Sequence, residues 1–164
     1  MTSPDQPTPT SPAAPDPDRP EDPDQAAWFD AIAVEHAVIY GYGMVSAHSL
    51  PSRNDLVSAV LAEHRNRREA ALAILTERSV AVPLPAAGYQ IPVPVISPTD
   101  AARLAIRLEE DCAVAWRAVM EQAKSEQDRA FGLTALTQCA MNAARWRQVL
   151  GAWPVTEAFP GGSE

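Results

Sequence analysis

The sequence predicts an all-α protein, a bundle of four helices paired into two hairpins. Three observations carry that reading. Four N-cap signatures of one form each open a segment with apolar residues at 3–4 spacing. No alternating strand pattern of useful length survives outside a proline-rich connector. Two short joins and one long one then dictate how the helices can pair.

The four signatures are Asp22-Pro23-Asp24-Gln25, Ser52-Arg53-Asn54-Asp55, Ser97-Pro98-Thr99-Asp100 and Ser125-Glu126-Gln127-Asp128. Each offers a side-chain oxygen to cap a helix and an Asp or Gln three residues on, in the manner of a capping box. Pro23 and Pro98 fall at the first helical position, where a missing N–H costs nothing. The predicted helices run over residues 23–47, 53–79, 98–124 and 126–150, the last ended by Gly151. Their stripes are Trp28, Ile32, Ile39, Tyr42; Val57, Val60, Ala71, Ile74; Ala105, Cys112, Trp116, Val119; and Leu136, Cys139, Ala143, Trp146, Leu150.

Helices 1 and 2 are joined around Ser49-Leu50-Pro51, and helices 3 and 4 near Ser125, so each pair must be antiparallel. Between helices 2 and 3, Ser79 to Ile96 holds Pro83, Pro85, Pro92 and Pro94, which block a helix and favour an extended path. Such a segment can cross the length of a helix of about 37 Å, at 1.5 Å per residue. Two hairpins linked by a long proline-rich crossover between helices 2 and 3 make a ferritin-like, up-down-down-up four-helix bundle.

Composition bounds the rest. The 164-residue chain carries a formal net charge of −8. Its first 24 residues hold eight of the 16 prolines and six acids against Arg19. Residues 1–21 read as a disordered, acidic, proline-rich tail with neither the positive start nor the apolar run of a signal peptide, and residues 22–164 as the bundle domain. A net-acidic chain without a basic cluster outside its helices is not built to grip nucleic acid. The most apolar window, Trp28 to Ala47, contains Asp30, Glu35 and His36, which argues against a membrane span. Two cysteines exclude a disulfide scaffold and a four-thiolate zinc site. The expectation is a cytoplasmic protein without a cofactor, and a homodimer on general grounds of symmetry.

A di-iron bundle needs a Glu from each of two helices and Glu-x-x-His from each of the other two. Glu35 on helix 1 and Glu109 on helix 3 occupy the single-Glu positions. The other half is missing: Asn66 stands three residues beyond Glu63, and helix 4 has no Asp, Glu or His between Phe131 and Gly151. Buried carboxylates without a metal need other compensation. Counting outward from the two turns brings Glu35 level with His64 and Arg65, and Glu109 level with Asn142. The expected partners are therefore Arg68 or His64 for Glu35, and Arg145 for Glu109, giving a buried polar cluster of Glu35, His64, Arg68, Glu109 and Arg145. The competing reading leaves these arginines on solvated faces. Cys112 and Cys139 fall at one level as small core thiols. Gly41 and Gly43 inside helix 1 suggest close helix approach or a bend.

The runs Val34-Glu35-His36-Ala37, Tyr40-Gly41-Tyr42-Gly43, Glu63-His64-Arg65 with Arg67-Arg68, Arg107-Leu108-Glu109-Glu110, Ala143-Ala144-Arg145-Trp146-Arg147 and Phe159-Pro160-Gly161 resemble an uncharacterised bacterial ferritin-like domain family. The resemblance covers residues 24–162 and implies the ferritin-like bundle without iron chemistry, since fold does not carry function. The leading expectation is a non-enzymatic binding or structural protein. The alternatives are a degenerate metal-dependent oxidase using Glu35, His64 and Glu109, and a small-molecule binder with a cavity near Tyr42 and Gly43.

Overall fold

The computed structural model describes residues 16–162. Among them are four α-helices, α1 (Pro23–His48), α2 (Asn54–Glu77), α3 (Pro98–Gln122) and α4 (Glu126–Leu150), and no strand. The expected tail of residues 1–21 lies outside the described residues as far as residue 15. Its last part is docked: Arg19 forks onto Asp30 of α1 with bonds of 2.7 and 2.6 Å.

Three helices begin at the oxygens the sequence offers. Asp22 accepts from the Gln25 N–H, Ser97 from that of Asp100 and Ser125 from that of Asp128. The second helix departs from expectation. Pro51 starts a 3₁₀ turn, Pro51–Arg53, and α2 follows from Arg53 without a side-chain cap, so Ser52 caps nothing. Proline fixes φ early and spends the first turn before the α-helix begins. At the other end of the chain's helical part, Gly151 closes α4 in the left-handed conformation (φ 65°) and its N–H returns to the carbonyl of Gln148.

Helix α1 packs on α2 and on α3, and α3 packs on α4. Trp28, Trp116 and Phe131 form one aromatic knot, with Trp28 edge-on to Trp116 at 5.7 Å. The α3–α4 contact is close because Gly132 has no side chain: a Cβ there would lie 2.9 Å from the Met120 backbone nitrogen. The connector between α2 and α3 holds no helix or strand, turns Val82, Val93 and Val95 toward the core, and places the Pro83 carbonyl 3.3 Å from His36 Nε2. No helix is long and apolar enough to cross a membrane among the described residues.

Candidate functional site: a buried ion-pair cluster

The centre of the bundle is polar. Glu35, His64 and Glu109 are all fully buried, and they form a linear array. His64 Nδ1 lies 2.8 Å from Glu35 Oε2 and 2.8 Å from Arg67 Nη2, and its Nε2 lies 3.0 Å from Glu109 Oε1. A ring that donates to both carboxylates is a protonated imidazole; a bare Nδ1 would instead accept from Arg67. Burial alone would lower the His64 pKa, but bonds to Glu109 and Glu35 outweigh it and push it up to about 10. Burial alone would likewise raise Glu35; His64, Arg67 and Trp116 reverse that and hold it at about 2.

Glu35 is the most heavily bonded member. Its Oε1 accepts from Arg67 Nε (2.6 Å), Trp116 Nε1 (2.7 Å) and the Cys112 thiol (3.2 Å). Arg67 continues across the bundle, its Nη1 donating to Gln138 Oε1 at 2.8 Å. On the far side, the Tyr42 hydroxyl donates to Glu109 Oε1 at 2.5 Å and accepts from Trp146 Nε1 at 3.0 Å. Burial, reinforced by Glu109, raises the Tyr42 pKa well above that of a free phenol. Two acidic side chains thus face Arg67 and His64 inside an apolar shell, and Glu109 Oε2 is left without a hydrogen-bond partner.

The sequence-predicted residues divide cleanly. Glu35, His64 and Glu109 are brought together by three helices. Arg68 is not among them: it bonds its neighbour Glu69 instead. The reason is helical phase. The buried residues of α2 are Val57, Val60, His64, Arg67, Ala71 and Leu75, and a residue one step beyond Arg67 points about 100° away from that stripe. Arg145 also misses Glu109. It is exposed beside the stripe that ends in Trp146 and donates to Asn142 Oδ1 at 2.9 Å. Asn142, level with Glu109 as counted from the turn, donates to Glu63.

The sequence set Tyr42 and Trp116 on the stripes of Glu35 and Glu109 as core residues without assigning them to the cluster, and put Arg67 within reach of Glu35 while favouring Arg68. Seven-residue spacing, from Glu35 to Tyr42, Glu109 to Trp116 and Val60 to Arg67, was the available signal. Cys112 and Cys139 are free and buried. Burial, with Cys139 beside it, raises the Cys112 thiol well above its ordinary value. Gly41 answers to close approach: a Cβ there would lie 2.7 Å from Leu108 Cδ1, whereas Gly43 faces open space.

A ferritin-like bundle would imply metal at this level, and the residues do not fit it. The His64 ring stands between the two carboxylates, bonded to each, where a shared cation would have to be. Ligand atoms of Glu35, His64 and Cys112 do lie within 4.8 Å of one another. Yet the Glu35 oxygen on that side already takes N–H donors from Arg67 and Trp116, and the neighbouring thiol is held protonated. A zinc or iron site needs a thiolate and a neutral imidazole lone pair. From α4, no carboxylate or imidazole reaches the cluster; Cys139, Asn142 and Trp146 are what it buries there.

Residues 27–164 match a family described as "Domain of unknown function (DUF4439)". Among solved structures, a conserved hypothetical protein, rv2844, from Mycobacterium tuberculosis is similar at 57% identity, with a TM-score of 0.77 over 84% of this chain and 96% of that one. No curated protein matches the chain. With the family matched over nearly all of its helical part, the chain belongs to the family of the domain of unknown function DUF4439.

Proposed function

We propose that this protein is a ferritin-like bundle of up-down-down-up topology, one domain over residues 22–164, whose centre is held by protein cations in place of metal. On this reading it is a cytoplasmic, homodimeric binding or structural protein and not an oxidase. The single observation that carries it is the His64 ring bonded to Glu35 on one side and Glu109 on the other. A protonated imidazole so placed supplies the positive charge that ferritin-like enzymes take from metal ions, without their open coordination positions.

Chain order across the contacts supports the topology. From Trp28 to Glu35 to Gly41, α1 meets Trp116, Cys112 and Leu108 in descending order along α3. At one end of the bundle Ser49, Arg53, Pro98 and Leu150 border the same hollow, which brings together the starts of α2 and α3 and the end of α4.

Metal analysis tests the reading. Protein purified without chelator, then incubated with ferrous iron or manganese and desalted, is expected to retain less than one equivalent per chain and to show no ferroxidase activity. Two tightly held ions per chain would replace this reading with the oxidase.

A further inference from the structure

Three of the four helix pairings around the bundle are packed, but α2 and α4 stand apart. Between them runs a slot of about 500 Å³ lined by Glu63, Asn66, Arg67 and Ala70 on one wall and by Gln127, Ala130, Phe131, Thr134, Ala135 and Gln138 on the other. It lies away from Tyr42 and Gly43, where the sequence suggested a cavity. Its ends are closed by side chains that cross from one helix to the other. At one end Arg67 reaches Gln138 and Asn142 reaches Glu63; at the other Arg78 reaches Asp128 at 2.5 Å. Along α4, from Gln127 to Gln138, the opening is about 16 Å long at 1.5 Å per residue. That volume is within the range of small-molecule sites, about 300–1,000 Å³.

We propose that this slot binds a planar aromatic molecule bearing a carbonyl or amide acceptor and no negative charge. Its apolar surface is the side chain of Phe131, packed on Trp28 at 5.0 Å and Trp116 at 5.4 Å, with the methyls of Ala70, Ala130 and Ala135 around it. A flat ring stacks on such a surface at little entropic cost. The polar groups are amides: the Gln138 Oε1 is taken by Arg67, which leaves its Nε2 to donate, and Asn66 and Gln127 offer both donors and acceptors at the rim. Of the two charged residues of the lining, Arg67 is neutralised by Glu35, whereas Glu63 is bonded only to the neutral amide of Asn142, so a ligand anion would meet an uncompensated carboxylate and no open cation. The closed ends disfavour a helix from a second copy, because a cylinder of about 10–12 Å diameter laid along the slot would break the crossing bonds. This inference goes beyond the metal-free reading of the cluster and can fail while that reading stands, since metal analysis bears on the cluster and ligand titration on the slot.

Calorimetric titration of the full chain with 2-naphthamide and its N-phenyl derivative tests it, with 2-naphthoate and 2-naphthylmethylammonium as charged counterparts of one shape. The expected result is saturable binding of the two amides at one per chain, and weaker binding of the naphthoate than of either the amides or the ammonium. Ala130→Leu, which fills the slot, should weaken amide binding by at least about tenfold, and Ala59→Leu, on α2 outside the slot, should leave it unchanged. Ala70→Leu repeats the test from the opposite wall should Ala130→Leu lose its helical circular dichroism. Absence of saturable amide binding up to about 1 mM, naphthoate binding equal to that of the amides, or unchanged affinity in a folded filled variant would overturn the proposal. So would a dimer that falls apart on filling the slot, which would make it a contact between copies.

Discussion

At the scale of single residues, one step along a helix separates a structural charge from a surface one. Arg67 and Arg68 are adjacent, yet Arg67 bonds the buried Glu35 and Arg68 bonds the exposed Glu69. Arg67→Ala leaves a buried carboxylate short of a partner and should cost about 3–5 kcal/mol in urea unfolding, whereas Arg68→Ala should stay within about 0.5 kcal/mol. The cluster also sets a pH profile. His64 moves on folding from 6.5 to about 10, so the stability it contributes is fully present below about pH 6.5 and is lost as pH rises through 10. Glu35 moves the other way, from 4.5 to about 2, so its contribution is present above pH 4.5 and is lost as pH falls through 2. Nitrogen-15 shifts of the His64 ring should therefore remain those of imidazolium at pH 8, and the denaturation midpoint should decline between pH 7 and 10. A neutral ring at pH 8, its Nδ1 accepting from Arg67 Nη2, would overturn the imidazolium.

Helices differ in what holds their ends and how near they come to each other. Ser125 caps α4, and Ser125→Ala should cost about 1 kcal/mol. Helix α2 starts without a side-chain cap, so amide exchange should be faster over residues 54–57 than over the first turns of α1, α3 and α4. Two glycines make a matched test of close approach. Gly132→Ala would press a methyl on the Met120 backbone, which cannot swing aside, and should cost about 1–3 kcal/mol. Gly43→Ala meets nothing within 4 Å and should instead stabilise α1 by about 0.5–1 kcal/mol, because it removes backbone entropy from the unfolded chain. Thermal unfolding of the two variants reads both signs in one experiment.

For the whole molecule, the proposed dimer predicts twice the 17.6 kDa chain mass in multi-angle light scattering. Apolar side chains stand out on more than one face: Leu133 and Met141 on α4 are each 52% exposed, and Trp153 beyond it is 90% exposed. A single-chain mass at micromolar concentration would remove the dimer and leave these residues as ordinary surface.

Local chemistry was legible in the sequence wherever one residue type decides a backbone state. Asp22, Ser97, Ser125 and Gly151 mark helix ends because capping needs only neighbours in the chain. The 3–4 spacing likewise separated Glu35 and Glu109 from solvent, since a stripe's phase is fixed by 3.6 residues per turn, and counting around the first turn brought His64 level with Glu35. Partner choice was another matter. Counting outward from a turn fixes level to within about a turn but not the direction in which a side chain leaves its helix, and that direction chose Arg67 over Arg68 and left Arg145 at Asn142. The opening between α2 and α4 was invisible for the same reason: how far two helices stand apart depends on side chains from all four, such as Phe131 wedged on Trp28 and Trp116, and no single segment contains that sum.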